Sequence, residues 1–321
     1  MAQSTIPKIA FNRTLLRNLL PFLSLAVVLA ATFIIQPRTM SYFGLTLMLQ
    51  YAVPIALATI AQMFVITVND LDLSIGSFVG TVGCIGATLL NDQPALGVLA
   101  LLACIATYAG VATLIHLRNL PSIVVTLGMS FVWLGISVVI LPSPGGHAPW
   151  FAKWIMGVQT PLVPFPILAA IAIGLIVHAG LMYSSYGAVL RGAGGNPKAV
   201  ARAGWSLLAT KVTMFTLAGV FGVPSGLSLI GLTSAGDAHI ADRYTLYSIA
   251  GVILGGGEFV GGRVSPMGAV VGALTLALAG SFLIFLKISP DWQIGAQGAI
   301  LIIVLALRAL ISGGGSEART V

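Results

Sequence analysis

The sequence predicts an all-α integral membrane protein of about ten transmembrane helices, with broken or re-entrant segments and one polar, basic loop on the cytoplasmic side. Three observations carry that prediction. The 321-residue chain is 58% hydrophobic and 7% charged, with a mean hydropathy of +1.04. Soluble domains carry about 25% charged residues, and a soluble fold of this length could not hide so much apolar surface, so lipid is its solvent. Apolar runs of the length a spanning helix needs, about 20 residues, recur along the chain. Residues 184–206 form the only long polar and basic interruption.

Taken in order, the candidate crossings are 18–36, 46–68, 73–90, 95–115, 121–141, 164–182, 208–231, 245–256, 266–286 and 291–310. The first follows Lys8, Arg13 and Arg17, as a secretory signal would. Its run from Leu19 to Ile35 is longer than a signal core and reaches Gln36-Pro37 without a small-residue cleavage site, so it reads as a retained helix behind a cytoplasmic segment 1–17. The 245–256 run is short and glycine-rich, which predicts a broken or tilted helix. The Gly/Ser-rich tail 312–321 reads as disordered. The whole chain, 1–321, reads as one membrane domain.

Ten crossings place both termini on one side. If that side is the cytoplasm, its loops hold Lys8, Arg13, Arg17, Arg118, Arg191, Lys198, Arg202, Lys211, Arg263, Arg308 and Arg319, while the outer loops keep Arg38, Lys153, Arg243 and Lys287. Such an excess of inward Lys and Arg is the normal topological signal. It also explains the pI near 9.7 without nucleic acid, since no basic stripe with interleaved aromatics is present.

Within 184–206, Arg191, Lys198 and Arg202 (with Lys211 just beyond) surround a break at Gly192, Gly194, Gly195, Asn196 and Pro197. A helical run from Lys198 to Ala203 follows, and proline suits the first helical position because its missing N–H would be unpaired there. The expectation is a stubby basic helix on a flexible glycine hinge, an element for docking a cytoplasmic protein.

Two breaks lie elsewhere. In Thr67–Ser77, Asp70 and Asp72 would point roughly 200° apart on a helix, so they form no catalytic dyad. Asp72 and Ser74 read as caps of the helix that follows. Alternatively the break lines a path, because irregular backbone at membrane depth survives only where protein or water satisfies it. The second break, Leu254–Arg263, is glycine-rich but lacks the Gly-Lys-Ser/Thr ending of a phosphate-binding loop; Glu258 and Arg263 can pair across it or meet a neighbouring chain. Stripes at Gly76, Gly80, Gly83 and Ala87, and at Gly268, Gly272, Thr275 and Ala279, read as close helix packing within the chain.

Catalytic and metal sites find no support. His116, His147, His178 and His239 have no ligating spacing, no nucleophile elbow occurs, and Cys84 and Cys104 read as small packing residues inside spans. Trp150, Phe151 and Trp154 beside Lys153 predict an interfacial anchor. The loop Thr233 to Arg243, with Asp237, His239, Asp242 and Arg243, is the most polar outward segment. No cofactor is expected.

Three motifs, in order, resemble a known family. Asp70-Leu71-Asp72-Leu73-Ser74-Ile75-Gly76-Ser77 is similar to the G-G-I-D-L-S-V-G-S segment of ribose-type sugar permeases from bacterial ATP-binding-cassette importers. Gly194-Gly195-Asn196-Pro197-Lys198-Ala199 with Arg202-Ala203-Gly204 resembles their cytoplasmic G-G-N-x-x-A-A-x-x-x-G loop. Leu254-Gly255-Gly256, Gly261-Gly262-Arg263, Gly268 and Gly272 resemble their L-G-G-x-x-x-x-G-G-x-G segment, and Ile288-Ser289-Pro290-Asp291-Trp292-Gln293 is similar to a later stretch. The likeness runs from about residue 45 to 310. Val68-Asn69-Asp70 departs from it, replacing the usual glycine pair and adding an acid.

The resemblance implies the inner-membrane permease subunit of an ATP-driven importer, working with a cytoplasmic ATPase, a second permease chain (identical or related), an extracytoplasmic solute-binding protein and a small sugar-like substrate. Arg191, Gly194, Gly195, Asn196, Pro197, Lys198, Ala199, Arg202 and Gly204 would couple to the ATPase. Asn69, Asp70, Asp72, Ser74, Gly76, Gly255, Gly256, Glu258 and Arg263 would line the pathway or its helix breaks, with Gln50, Thr59, Gln62 and Thr67 as further polar suppliers. A stand-alone carrier or facilitator, with 184–206 a topology anchor only, and an importer of nucleosides or of a sugar-like signal are the alternatives.

Overall fold

The computed structural model describes residues 13–289 and, beyond them, 292, 295, 298, 299 and 302. The described chain contains the helices α1 (Arg13–Ile35), α2 (Tyr42–Leu49), α3 (Ala52–Thr67), α4 (Ile75–Ala87), α5 (Leu89–Asp92), α6 (Pro94–Arg118), α7 (Ser122–Ile140), α8 (Trp150–Met156), α9 (Phe165–His178), α10 (Ser185–Gly195), α11 (Pro197–Arg202), α12 (Leu207–Thr233), α13 (Tyr244–Leu254) and α14 (Pro266–Phe285). Its starts follow local chemistry. The side chains of Ser41, Ser184, Asn196, Ser206 and Ser265 each accept from a backbone N–H in the first turn of the helix they precede, and α6, α11 and α14 begin with proline.

The core forms around α3. Every one of its residues from Ala52 to Thr67 is buried, as expected of a helix apolar all round, and α9, α12, α13 and α14 surround it. On one flank Phe78 of α4 stacks edge-on against Tyr108 of α6 and Trp133 of α7, with ring centroids 4.8 and 5.3 Å away. Helices α6 and α7 turn Leu99, Leu102, Val124, Phe131 and Val139 outward, a lipid-facing surface.

The expected count of about ten crossings is corrected here. Among the described residues five helices are long and apolar enough to cross a membrane: Pro94–Arg118, Ser122–Ile140, Phe165–Tyr183, Leu207–Thr233 and Pro266–Phe285. A sixth is added if α2 and α3, bent by 41°, form one broken span. Apolarity alone inflated the count. The 73–90 run splits into α4 and α5, and the 13 residues of α4 rise only about 20 Å against a hydrocarbon core of about 30 Å. The 245–256 run gives the 11-residue α13, and the described apolar part of α1, Leu19–Ile35, is also shorter than a full span. The 291–310 candidate, residues 1–12 and the tail 312–321 lie outside the described residues, apart from isolated positions.

Both small-residue stripes pack inside the chain. A Cβ added at Gly76 would sit 2.7 Å from the Ala241 carbonyl and one at Gly80 2.7 Å from that of Ala238. A Cβ at Gly268 would sit 1.8 Å from the Gly255 carbonyl, and one at Gly272 2.2 Å from that of Gly251. Backbone therefore meets backbone where α13 crosses α14, a contact only glycine permits. We expect Gly268→Val to lower the thermal unfolding midpoint of the detergent-purified chain by the equivalent of about 3 kcal/mol or to prevent its folding. An unchanged midpoint would refute the close crossing.

Candidate functional site

The break between α3 and α4, residues 68–74, is where the fold converges. Irregular backbone here must find partners away from water. The Leu71 N–H donates to Ser122 Oγ at 3.2 Å and the Leu73 N–H to Thr126 Oγ1 at 3.0 Å, both hydroxyls on α7. The Gly76 N–H, freed by the start of α4, donates to Thr245 Oγ1 of α13 at 3.0 Å. Gln62 of α3 is fully buried. With its amide oriented to suit both groups, it donates to the Asp72 carbonyl at 3.0 Å and accepts from the Asp72 N–H at 3.2 Å, pairing with the break as a strand neighbour would.

The two acids diverge as their spacing predicted. Asp72 is fully buried. Its Oδ1 accepts the Ser74 N–H at 2.7 Å and the Ser74 hydroxyl at 2.6 Å, and its Oδ2 accepts the Tyr108 hydroxyl at 2.7 Å. The capping expectation is corrected for both residues: the Ser74 hydroxyl turns back onto Asp72, and Asp72 Oδ1 accepts only from Ser74, ahead of α4, so neither side chain caps the helix. Asp70 points the other way, its Oδ2 2.7 Å from Lys211 Nζ at the start of α12.

Asn69 joins this break to the basic element. It holds φ +61°, a left-handed conformation that asparagine tolerates better than most residues. Its Nδ2 donates to the Gly194 carbonyl at 2.7 Å, and its Oδ1 accepts the Gly261 N–H at 3.0 Å. One side chain thus bridges α10 and the glycine-rich turn after α13. Beneath it the backbones touch: a Cβ at Gly194 would lie 2.0 Å from the Thr67 carbonyl, and one at Gly262 2.1 Å from that of Arg191. The glycines read as a flexible hinge instead lie within α10 as a continuous helix (Ser185–Gly195), wedged against α3 and the second break.

Beyond this junction α11 projects. Asn196 Oδ1 accepts the Ala199 N–H at 3.0 Å, Pro197 opens the helix, and Gly204 ends it at φ +85°. Lys198, Ala199 and Arg202 are exposed. Arg191 and Gly194 are not on that projecting surface: Arg191 is half-buried and Gly194 buried. In the second break the Glu258 N–H donates to the Arg263 carbonyl at 3.0 Å, and Arg263 Nη1 stands 3.6 Å from Glu258 Oε2. Gly255 is buried against α14 and Gly256 takes φ +96°. Among the suggested polar suppliers, Thr59 and Thr67 donate to carbonyls of their own helix.

Sequence reasoning missed Tyr108, Ser122, Thr126 and Thr245 as partners of the break, and Lys211 as the partner of Asp70. The available signal was a hydroxyl or amine inside an otherwise apolar run, the kind of residue that stays in a membrane only with a polar partner. Tyr108→Phe should leave Asp72 Oδ2 without its donor and destabilise the protein by about 1.5–3 kcal/mol, read as a fall in the thermal midpoint relative to wild type. No fall would show that the Tyr108–Asp72 bond is unimportant.

A family model described as "Branched-chain amino acid transport system / permease component" matches residues 44–305. The ribose import permease protein RbsC of Escherichia coli is 24% identical over 92% of this chain and 94% of its own length. The probable ABC transporter permease protein YphD of the same species is 27% identical over 92% of each. The galactose/methyl galactoside import permease protein MglC of Salmonella typhimurium is 24% identical over 90% of this chain and 93% of its own length. No solved structure matches.

Proposed function

Since the chain belongs to the branched-chain amino acid transport system permease family and is the multi-pass inner-membrane permease subunit of an ATP-driven importer, we propose that its cargo is a monosaccharide and that α10 and α11 transmit the work of a cytoplasmic ATPase to the break at 68–74. It is the membrane part of a transporter and not an enzyme. The ribose and galactose permeases among its relatives support a sugar. Nothing favours the stand-alone facilitator or the nucleoside importer.

The observation that carries the coupling proposal is the Asn69 bridge. A groove of the ATPase would take the exposed Lys198, Ala199 and Arg202. Its movement on ATP binding and hydrolysis would pass through the continuous α10 to Gly194, and from there to Asn69 and the start of α4. The close backbone contacts at Gly194 and Gly262 leave no slack along this route, because packed backbones shift together or not at all. Two permease chains would form the pathway, and an extracytoplasmic binding protein would deliver the sugar to the opposite face, where the Thr233–Arg243 loop is the most polar segment. Asn69, Asp70, Asp72, Ser74 and Gly76 act in this scheme as the moving break, with Gly255, Gly256, Glu258 and Arg263 as its counterpart.

Gentle affinity purification from membranes tests the reading. A stoichiometric ATPase should co-purify, and scrambling residues 191–204 should release it. A crosslinked, intact chain with no ATPase partner would refute the proposal. Arg202→Glu and Gly195→Pro are expected to abolish sugar uptake with membrane insertion unchanged, and normal uptake in both would remove α11 from the mechanism. Asn69→Ala separates docking from transmission: it loses two hydrogen bonds, about 1–3 kcal/mol together, and should retain ATPase binding while uptake falls at least about ten-fold. Wild-type uptake in Asn69→Ala would exclude the bridge as the route.

A further inference from the structure

A cleft of about 480 Å³ opens beside the junction, between α1, α10, the second break and the first turn of α14. Its lining carries two arginines, Arg191 and Arg263, and no acidic side chain among the described residues. Arg191 is the notable one. Its Nε is enclosed and without a hydrogen-bond partner among the described residues, and its Nη2 reaches only the Met182 carbonyl, at 3.4 Å. Arg191 is half-buried, and a partly enclosed guanidinium with few acceptors gains from a further one. Arg263, also in the lining, is two-thirds exposed and held loosely by Glu258 at 3.6 Å. The lining also includes the apolar Pro21 and Phe22 of α1 and Met267 of α14. Phe22 and its neighbour Leu23 are about half exposed on the lipid side of α1.

A cleft lined by two guanidinium groups, one of them short of acceptors, and by apolar side chains of α1 and α14 matches a ligand with a phosphate head and an apolar tail. We propose that this cleft binds the headgroup of an anionic phospholipid from the leaflet on the α11 side, its phosphate oxygens taking the Arg191 fork and Arg263, and its chains running along Phe22 and Met267. Guanidinium and phosphate pair in a two-pronged geometry that a lysine does not reproduce, and the N-terminal end of α14 at the cleft adds a favourable dipole. The position gives the lipid leverage. The Arg191 carbonyl is the atom against which Gly262 packs, so an occupied cleft would brace the contact between α10 and the second break.

The test uses the purified full-length chain in detergent, with phosphatidylglycerol titrated in and retained lipid counted by native mass spectrometry. It involves neither sugar nor ATPase, so its outcome is independent of the transport proposal. Saturable retention of phosphatidylglycerol over phosphatidylcholine is expected, weakened at least about ten-fold in the Arg191→Gln/Arg263→Gln double variant and unchanged in Lys153→Gln, whose charge lies on α8. Should the double variant fail to fold, Arg263→Gln alone, at an exposed position, and Arg191→Lys, which keeps charge and stem, should each still weaken retention about three-fold. Equal retention in wild type and variants would overturn the site. Displacement of the lipid by millimolar inorganic phosphate, with no preference for phosphatidylglycerol, would overturn the lipid assignment in favour of a free anion.

Discussion

An unwound stretch of chain within a membrane protein has to find a partner for each of its peptide groups, and that requirement organises this fold. Residues 68–74 meet it by drawing side chains from α3, α7 and α13: Gln62 pairs with the Asp72 peptide, Ser122 and Thr126 take the Leu71 and Leu73 amides, and Thr245 takes that of Gly76. Asp72 adds a buried carboxyl satisfied by Ser74 and Tyr108. Helices far apart in sequence are therefore placed by one short segment. Their positions relative to each other are fixed by hydrogen bonds as well as by apolar packing, which in lipid has no strong driving force of its own.

The second organising feature is the meeting of bare backbones. Thr67, Gly194, Gly262 and Arg191 approach so closely that no side chain fits between them, and the α13–α14 crossing repeats the device at Gly251, Gly255, Gly268 and Gly272. Such contacts leave no room for a side chain or for closer approach, which is the property the proposed route from α11 to α4 calls on.

Much of the local chemistry was legible in the sequence. Asn196-Pro197 announces the start of α11, the spacing of Asp70 and Asp72 implies that they point apart, and the small-residue stripes imply close crossings. What was not legible depends on distance along the chain. Asn69 and Gly194 lie 125 residues apart, and Asn69 and Gly261 lie 192 apart, so nothing local to Asn69 reveals that it is a bridge. The same blindness turned the glycines at 192–195 into an expected hinge: a glycine chosen for closeness and a glycine chosen for freedom read identically until the neighbour is known. Hydropathy likewise measures apolarity but not helix continuity, so α4 and α13 counted as crossings although each is too short for one.

The junction beneath α11 also bears on how such a protein can change over time. At Gly194 and Gly262 the contact consists of peptide groups, which every sequence possesses, while the side chains of Lys198, Ala199 and Arg202 are exposed. If α11 docks the ATPase as proposed, the part that transmits is chemically separate from the part that recognises. Substitutions on the outer surface of α11 could retune which motor a permease accepts without disturbing the linkage below, whereas grafting α10 alone into a distant relative would bring a close-fitting backbone without the matching turn at 261–262. Inheritance of the two segments as a pair is the natural consequence.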